Sequence, residues 1–276
     1  MLRKAIGIIA LIVSLCMLTY PLVSEKINAK KQEELILATQ KEVANADEST
    51  LSSALAAARR YNEALVTGGA LSESEYSGLL NLSGNGVMGF IEIPCIDVKL
   101  AIYHGCDDSV LSKGIGHIYG TSLPVGGKST HTFLSGHTGM NNQKMLTDLE
   151  RVNIGDYIYI NTLGSTLVYQ IDEIKTVLPN ALDVIGITQG EDKVTLITCT
   201  PYGVNSHRLI VTGSRVALEE EEQKTLIAET REKNSNGSEW EDQYIRAVLT
   251  GGIAFFLILL TFFAFKAVRK NSIRKD

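Results

Sequence analysis

Two apolar runs bracket the chain. Residues 5–23 and 247–265 are each 19 residues long without a charge, and at helical rise that length crosses a hydrocarbon core of about 30 Å. Between them the pattern changes three times. Residues 25–66 are rich in Ala, Glu, Lys, Gln and Leu and contain neither Pro nor Gly, which predicts helix. A break is expected within 45–53, where "NADESTLSS" offers N-cap residues for a second helix. Residues 67–86 are glycine-bounded and aperiodic, a loop long enough to have a function of its own. From residue 87 the apolar period shortens to two: "MGFIEIP", "VKLAIYH", "THTFLSGH", "DYIYINT", "TLVYQIDEIKTVLP", "KVTLITCT" and "HRLIVTGSRV" are β-like runs separated by turn residues. Seven or more such runs without long helices between them predict one closed or nearly closed β-barrel over residues 87–217. Residues 218–246 are acidic and polar and read as a solvated helix face and linker, and residues 266–276 as a basic tail.

The ends fix an expected orientation. Arg3 and Lys4 precede the first apolar run, and Lys266, Arg269, Lys270, Arg274 and Lys275 follow the second. By the positive-inside rule both termini are expected in the cytoplasm, with residues 24–246 outside and the chain in the cell membrane. Residues 1–24 read as a retained anchor, with a signal peptide as the alternative. Of 26 Lys/Arg and 31 Asp/Glu, seven basic side chains and Asp276 fall outside residues 24–246, which leaves that stretch near −11. Such a surface argues against a nucleic-acid partner.

The chain has four cysteines. Cys16 lies in the first apolar run, leaving Cys95, Cys106 and Cys199. Three thiols cannot all pair within one chain, and their spacing matches no metal motif. No cofactor or metal is expected; no acidic cluster in the barrel is dense enough to claim calcium.

Cys199 ends a run in which Thr195, Ile197 and Cys199 share one face and Leu196 and Thr198 the other. Arg208 opens the next run after the turn-rich "TPYGVNS". If the two runs pair antiparallel, a thiol and a fixed positive charge stand at the same end of a sheet. A thiol attacks as thiolate and needs a cation or an imidazole to form it. His207 neighbours Arg208 and so points to the other face. His137 ends "THTFLSGH", but spacing alone does not choose it over His117 or His104, and His131 is a further candidate.

"TLITC" followed nine residues later by Arg208 resembles the signature of sortases, membrane-anchored cysteine transpeptidases of Gram-positive bacteria. "MGFIEIPCIDVKLAIYHG", "GIGHIYGTSLPVGGKSTHTFLSGHTG" and "VTLITCTPYGVNSHRLIVTGSR" are similar to the pilus-assembling class C over most of residues 76–216. The resemblance implies an eight-stranded barrel of the sortase type with N-terminal helices, flanked by two transmembrane helices. It implies Cys199 as nucleophile, His137 as its acid/base partner, Arg208 as stabiliser of the substrate carbonyl, and Thr198 and Ser135 in support. The implied substrate is an LPxTG-like sorting signal, and the implied acceptor a pilin lysine; attachment of surface proteins to a cell-wall precursor and a catalytically silent peptide-binding barrel are the alternatives.

Class C members carry a lid marked by an Asp-Pro-aromatic tripeptide. Residues 67–86 contain neither Asp nor Pro, and Tyr76 is their only aromatic residue. A flap including Tyr76 and Leu79 is expected, without the usual anchors on Arg208 and Cys199. Cys95 and Cys106 also depart from the family pattern; they read as two small, partly buried side chains, or as a disulfide.

Overall fold

The computed structural model describes residues 2–69, 72–140, 143–181, 186–233, 244–257 and 261. Residues 1–20 and 237–276 form one compact unit and residues 21–236 a second. In the first lie the opening turns of helix α1 (Leu2–Asn45) and the helical residues 244–257. Among the described residues no helix is long and apolar enough to cross a membrane, so the two expected spans are unsupported here. Residues 258–260 and 262–265, within the second run, lie outside the described residues, as does the basic tail.

In the second unit α1 ends at Asn45 and α2 (Glu48–Val66) begins two residues later. The Asp47 carboxylate accepts from the Thr50 backbone N–H at 2.6 Å, satisfying one of the donors that a helix start leaves free. One face of α2 buries Ala58, Tyr61 and Asn62. The Asn62 amide docks by two bonds: its Nδ2 donates to the Leu123 carbonyl (3.1 Å) and its Oδ1 accepts from the Leu123 N–H (2.7 Å). A short helix α3 (Glu73–Tyr76) follows, closed by a reciprocal Ser72–Glu75 capping box.

Eight strands then close a barrel: β1 (Val87–Ile93), β2 (Val98–His104), β3 (Ile115–His117), β4 (Thr130–Ser135), β5 (Tyr157–Thr162), β6 (Ser165–Val177), β7 (Asp192–Thr200) and β8 (His207–Val216). Their order around the barrel is β1-β2-β3-β4-β7-β8-β6-β5, and β5 pairs with β1 to complete the ring. The seven β-like runs all became strands. The added one, β3, has three residues, too few for alternation to show in sequence. β4 and β7 run parallel, whereas β7 and β8 form an antiparallel hairpin.

The inward face is filled by Ile91, Ile102, Leu134, Ile160, Tyr169, Leu196 and Val211, all at most 1 % exposed. A smaller apolar cluster, Phe133, Ile197 and Ile210 with Ile118 and Val177, belongs to the outward face of β4, β7 and β8. After β8 the acidic segment forms helix α5 (Glu220–Lys233), which rests against the 3-10 turn Pro94–Ile96; Arg231 donates to the buried Glu92 carboxylate at 2.9 Å.

All four cysteines are free, so the disulfide alternative for Cys95 and Cys106 is not met. Burial pushes the Cys95 thiol up to about 12, with the nearby Asp156 adding to the effect. Burial likewise pushes the Cys106 thiol up to about 11. Each is a small, partly buried side chain.

Candidate active site

Cys199 and Arg208 are direct cross-strand partners in the β7–β8 hairpin. Thr200 pairs with His207, which puts the His207 ring on the opposite face from Arg208. Leu196 and Thr198 are buried toward the interior, and Ile197 belongs to the outer cluster. Alternation therefore sends Cys199 outward, where it is half-buried. The Arg208 guanidinium is held by its own hairpin loop: Nη1 donates to the His207 carbonyl at 3.0 Å and to the Asn205 carbonyl at 3.3 Å.

His137 comes from a distant part of the chain, and a hydrogen-bonded brace brings it in. Ser135 pairs with Ile197, and the Gly136 N–H extends the ladder to the Ile197 carbonyl at 3.1 Å. The Thr198 hydroxyl donates to the Gly136 carbonyl at 2.7 Å. Having given its one proton there, it accepts from the Thr138 hydroxyl, also at 2.7 Å. The residue before the thiol thus grips both neighbours of His137. The His137 carbonyl accepts from Leu146 N–H at 3.1 Å, and Gly139 N–H donates to Thr147 Oγ1 at 3.1 Å. His137 is half-buried between the buried Gly136 and Thr138.

A side chain at position 136 would make its neighbours shift. A Cβ there would lie 2.7 Å from Ile115 Cδ1 and 2.8 Å from Leu146 Cδ1, so the ends of both side chains would have to give way. Gly139 has a left-handed backbone (φ 78°) beneath the Tyr202 ring, which joins the loop after β4 to the β7–β8 loop.

Ser135 stands on the outer face one row below Cys199, half-buried beside Ile197. The Thr198 hydroxyl, expected to support the substrate oxygen, is engaged on the inner side by Gly136 and Thr138, the two neighbours of His137. Sequence reading missed Gly136 and Thr138 as parts of this brace; the signal available was "SGHTG" itself, a glycine and a β-branched hydroxyl flanking the histidine.

Tyr76 and Leu79, expected in a flap, are built into the flank of the barrel. The Tyr76 ring is 2 % exposed and packs on Tyr61, His104, His117 and Tyr119. His117 Nε2–H donates to the Ser122 carbonyl (2.8 Å), so Nδ1 is the acceptor for the Tyr76 hydroxyl (2.8 Å). Leu79 packs against the main core, and its carbonyl accepts from His104 Nε2 at 2.7 Å. An aromatic with three polar neighbours at β2 and β3 gains more by burial than by lying loose over a groove. Full burial lowers His117 to about 4.

Of the remaining histidines, His104 is bound to the Gly86 and Leu79 carbonyls. His131 donates from Nδ1 to the Gly186 carbonyl (2.8 Å), and its Nε2 accepts from Thr195 Oγ1 (2.7 Å). Burial lowers its pKa. Among the described residues no group of three or more His, Cys, Asp or Glu could hold a metal ion.

Cys199 and Arg208 pair at the end of the β7–β8 hairpin, and His137 follows directly on β4, the parallel neighbour of β7; thiol, imidazole and guanidinium are group types that serve acyl transfer. The Sortase domain profile matches residues 91–216. Among solved structures, sortase C1 from Streptococcus agalactiae is 40% identical with a TM-score of 0.65, covering 67% of this chain and 100% of that one. Sortase C of Streptococcus pneumoniae is 36% identical with a TM-score of 0.61, covering 67% and 97%. Sortase A of Streptococcus agalactiae is 31% identical over 118 residues, 41% of this chain; the alignment spans about half of that relative, 47%. The chain belongs to the sortase family of cysteine transpeptidases, and its structural relatives place it with class C.

Proposed function

We propose that this chain is a membrane-anchored transpeptidase that cleaves an LPxTG-like sorting signal after its Thr and transfers the acyl group to a lysine amine of a pilin subunit, polymerising pili. The observation that carries this reading is the pairing of Cys199 with Arg208 beside a His137 segment gripped from both sides by Thr198. The Cys199 thiolate attacks the Thr carbonyl, and charge passes to the carbonyl oxygen. Arg208 meets that charge. Its Nη1 is spent on the hairpin loop, which holds the fork in place while Nε and Nη2 remain as donors for the oxygen. His137, as imidazolium, protonates the leaving Gly amine, and the C–N bond breaks to leave a thioester. An incoming lysine amine attacks this thioester; His137 takes its proton and the thiolate departs.

The two apolar runs with basic flanks support an anchored enzyme whose barrel faces the exterior. Incubation with an LPxTG peptide is expected to give a Cys199 acyl adduct by mass spectrometry, and a pilin added to it is expected to form covalent ladders that vanish in Cys199→Ala. Transfer to a cell-wall precursor amine with none to pilin would instead assign the attachment of surface proteins. Absence of any adduct would overturn the transpeptidase reading.

A further inference from the structure

Cys199 lies where strand β7 loses one of its two neighbours. The register of β4 with β7 ends at Ser135 and Ile197, and the Gly136 N–H adds one bond to the Ile197 carbonyl. Thr198, Cys199 and Thr200 lie beyond it, paired by β8 through Leu209, Arg208 and His207 while the ladder to β4 stops short of them. A strand tail with a ladder on one side is held less firmly than the strand interior, so the groups on its other side bear on how the thiol is seated.

On that other side stands the segment that follows β4. Its 3-10 turn, Thr147–Arg151, is set into the core by Leu149, with Leu146 before it and Val152 after it, and the buried Asp148 is ion-paired with Lys144 at 3.0 Å. In a 3-10 turn side chains three residues apart eclipse, so Thr147 and Glu150 share a face. Both are engaged. Thr147 Oγ1 accepts from the Gly139 N–H at 3.1 Å, and the Leu146 N–H donates to the His137 carbonyl at 3.1 Å, which ties the turn to the segment of the histidine. The Glu150 carboxylate accepts from the Thr200 hydroxyl, which ties the same turn to the residue after the thiol.

Thr198 and Thr200 flank Cys199 and share the strand face opposite to it. Each hydroxyl is spent on the stretch that follows β4: Thr198 on Gly136 and Thr138, Thr200 on Glu150. Thr200 is buried and Glu150 exposed. An exposed carboxylate exchanges water for this bond, so the net gain in stability is modest; the bond is nonetheless charge-assisted and directional, and it fixes the place of the Thr200 side chain.

We infer that Glu150 is a positioning residue for the nucleophile: through Thr200 it holds the β7 tail on the side that β4 does not reach, one residue after the thiol, as Thr198 does one residue before it. The inference rests on the transpeptidase reading and adds to it a carboxylate that acts through its neighbour.

The test is steady-state cleavage of an LPxTG peptide by the full chain and by Glu150→Ala, Glu150→Gln, Thr200→Val and the double variant Glu150→Ala with Thr200→Val. Glu150→Ala and Thr200→Val are each expected to lower kcat by about tenfold with KM changed little, as a slight misplacement of a reacting group does. Glu150→Gln keeps an oxygen that accepts the Thr200 proton and is expected to keep most of kcat. The double variant is expected to be no slower than the slower single one, because both substitutions remove the same bond. An unchanged kcat in Glu150→Ala, a Gln variant as slow as the Ala one, or losses that multiply in the double variant would overturn this inference and leave the transpeptidase reading in place. No cleavage by the natural protein would overturn both.

Discussion

The hydroxyl of Thr198 lies 2.7 Å from the carbonyl of Gly136, reaching from the residue before the thiol to the residue before the imidazole. Strands β4 and β7 are far apart in sequence, and the ladder between them ends at this point. The bond, with its continuation to Thr138, ties the residue before Cys199 to both neighbours of His137 without touching either side chain.

Thr198→Val keeps the shape and removes the hydroxyl. The expected result is a fall in kcat of roughly ten- to a hundredfold with KM changed little, since a small misplacement of the acid/base partner costs that much. Thr198→Ser is expected to keep most of the activity. Steady-state peptide cleavage by the two variants separates this positioning role from simple destabilisation, which would lower active protein in both.

Gly136→Ala places a methyl within 2.7–2.9 Å of Ile115 and Leu146. A loss of roughly 1–3 kcal/mol in urea unfolding is expected from overpacking, together with a drop in kcat as the segment carrying His137 is pushed outward. Unfolding unchanged from the natural protein would contradict the packing account.

Arg208→Lys preserves the charge but loses the fork. Its kcat/KM is expected to fall by about a hundredfold, in the range seen when one oxyanion donor is removed. Alkylation of Cys199 by a small reagent needs no carbonyl stabilisation and should persist. Loss of both together would instead assign Arg208 to thiolate formation.

His117 predicts a stability loss on the acid side. Its folded value is about 4 against an ordinary 6.5. Above 6.5 the ring is neutral in both states and nothing is lost. As pH falls from 6.5 toward 4 the unfolded chain binds a proton that the folded chain refuses, so stability declines, by up to about 3 kcal/mol once below 4. Denaturant midpoints measured between pH 7 and 4 should show this slope, and His117→Gln should flatten it.

The thiols should differ in reactivity. With values near 12 and 11, Cys95 and Cys106 hold less than about one part in a thousand as thiolate at neutral pH. Mass spectrometry after brief iodoacetamide treatment should find Cys199 labelled in the folded protein and the other two only after unfolding.

The strands with alternating faces were readable because each buries one side, and a period of two survives in any such strand of five or more residues. The β7–β8 pairing was readable from a single short connection. β3 was not, since Ile115–His117 is too short to alternate. His137 could not be separated from His104 and His117 by spacing, because their difference is tertiary: the latter two are tied into the Tyr76 cluster, and only His137 sits on the segment that Thr198 grips. Tyr76 was misplaced for the same reason. Its residue type suits a flap or a core, and the choice is made by His117, 41 residues away. The acidic run after β8 shows in sequence only its solvent side; a salt link that docks it, Arg231 to Glu92, joins residues 139 positions apart.

On the proposed reading the reacting groups project from the wall of a barrel whose interior is filled by side chains such as Ile91, Leu134, Leu196 and Val211, so the activated ester forms outside that core. Shelter must come from the polypeptides being joined: the donor segment as it lies along the strands, and the acceptor as it arrives. Starved of acceptor, such a catalyst would leak its cargo to the medium at a rate governed by how snugly the donor stays seated, and the yield of joined product becomes a property of the substrates as much as of the enzyme.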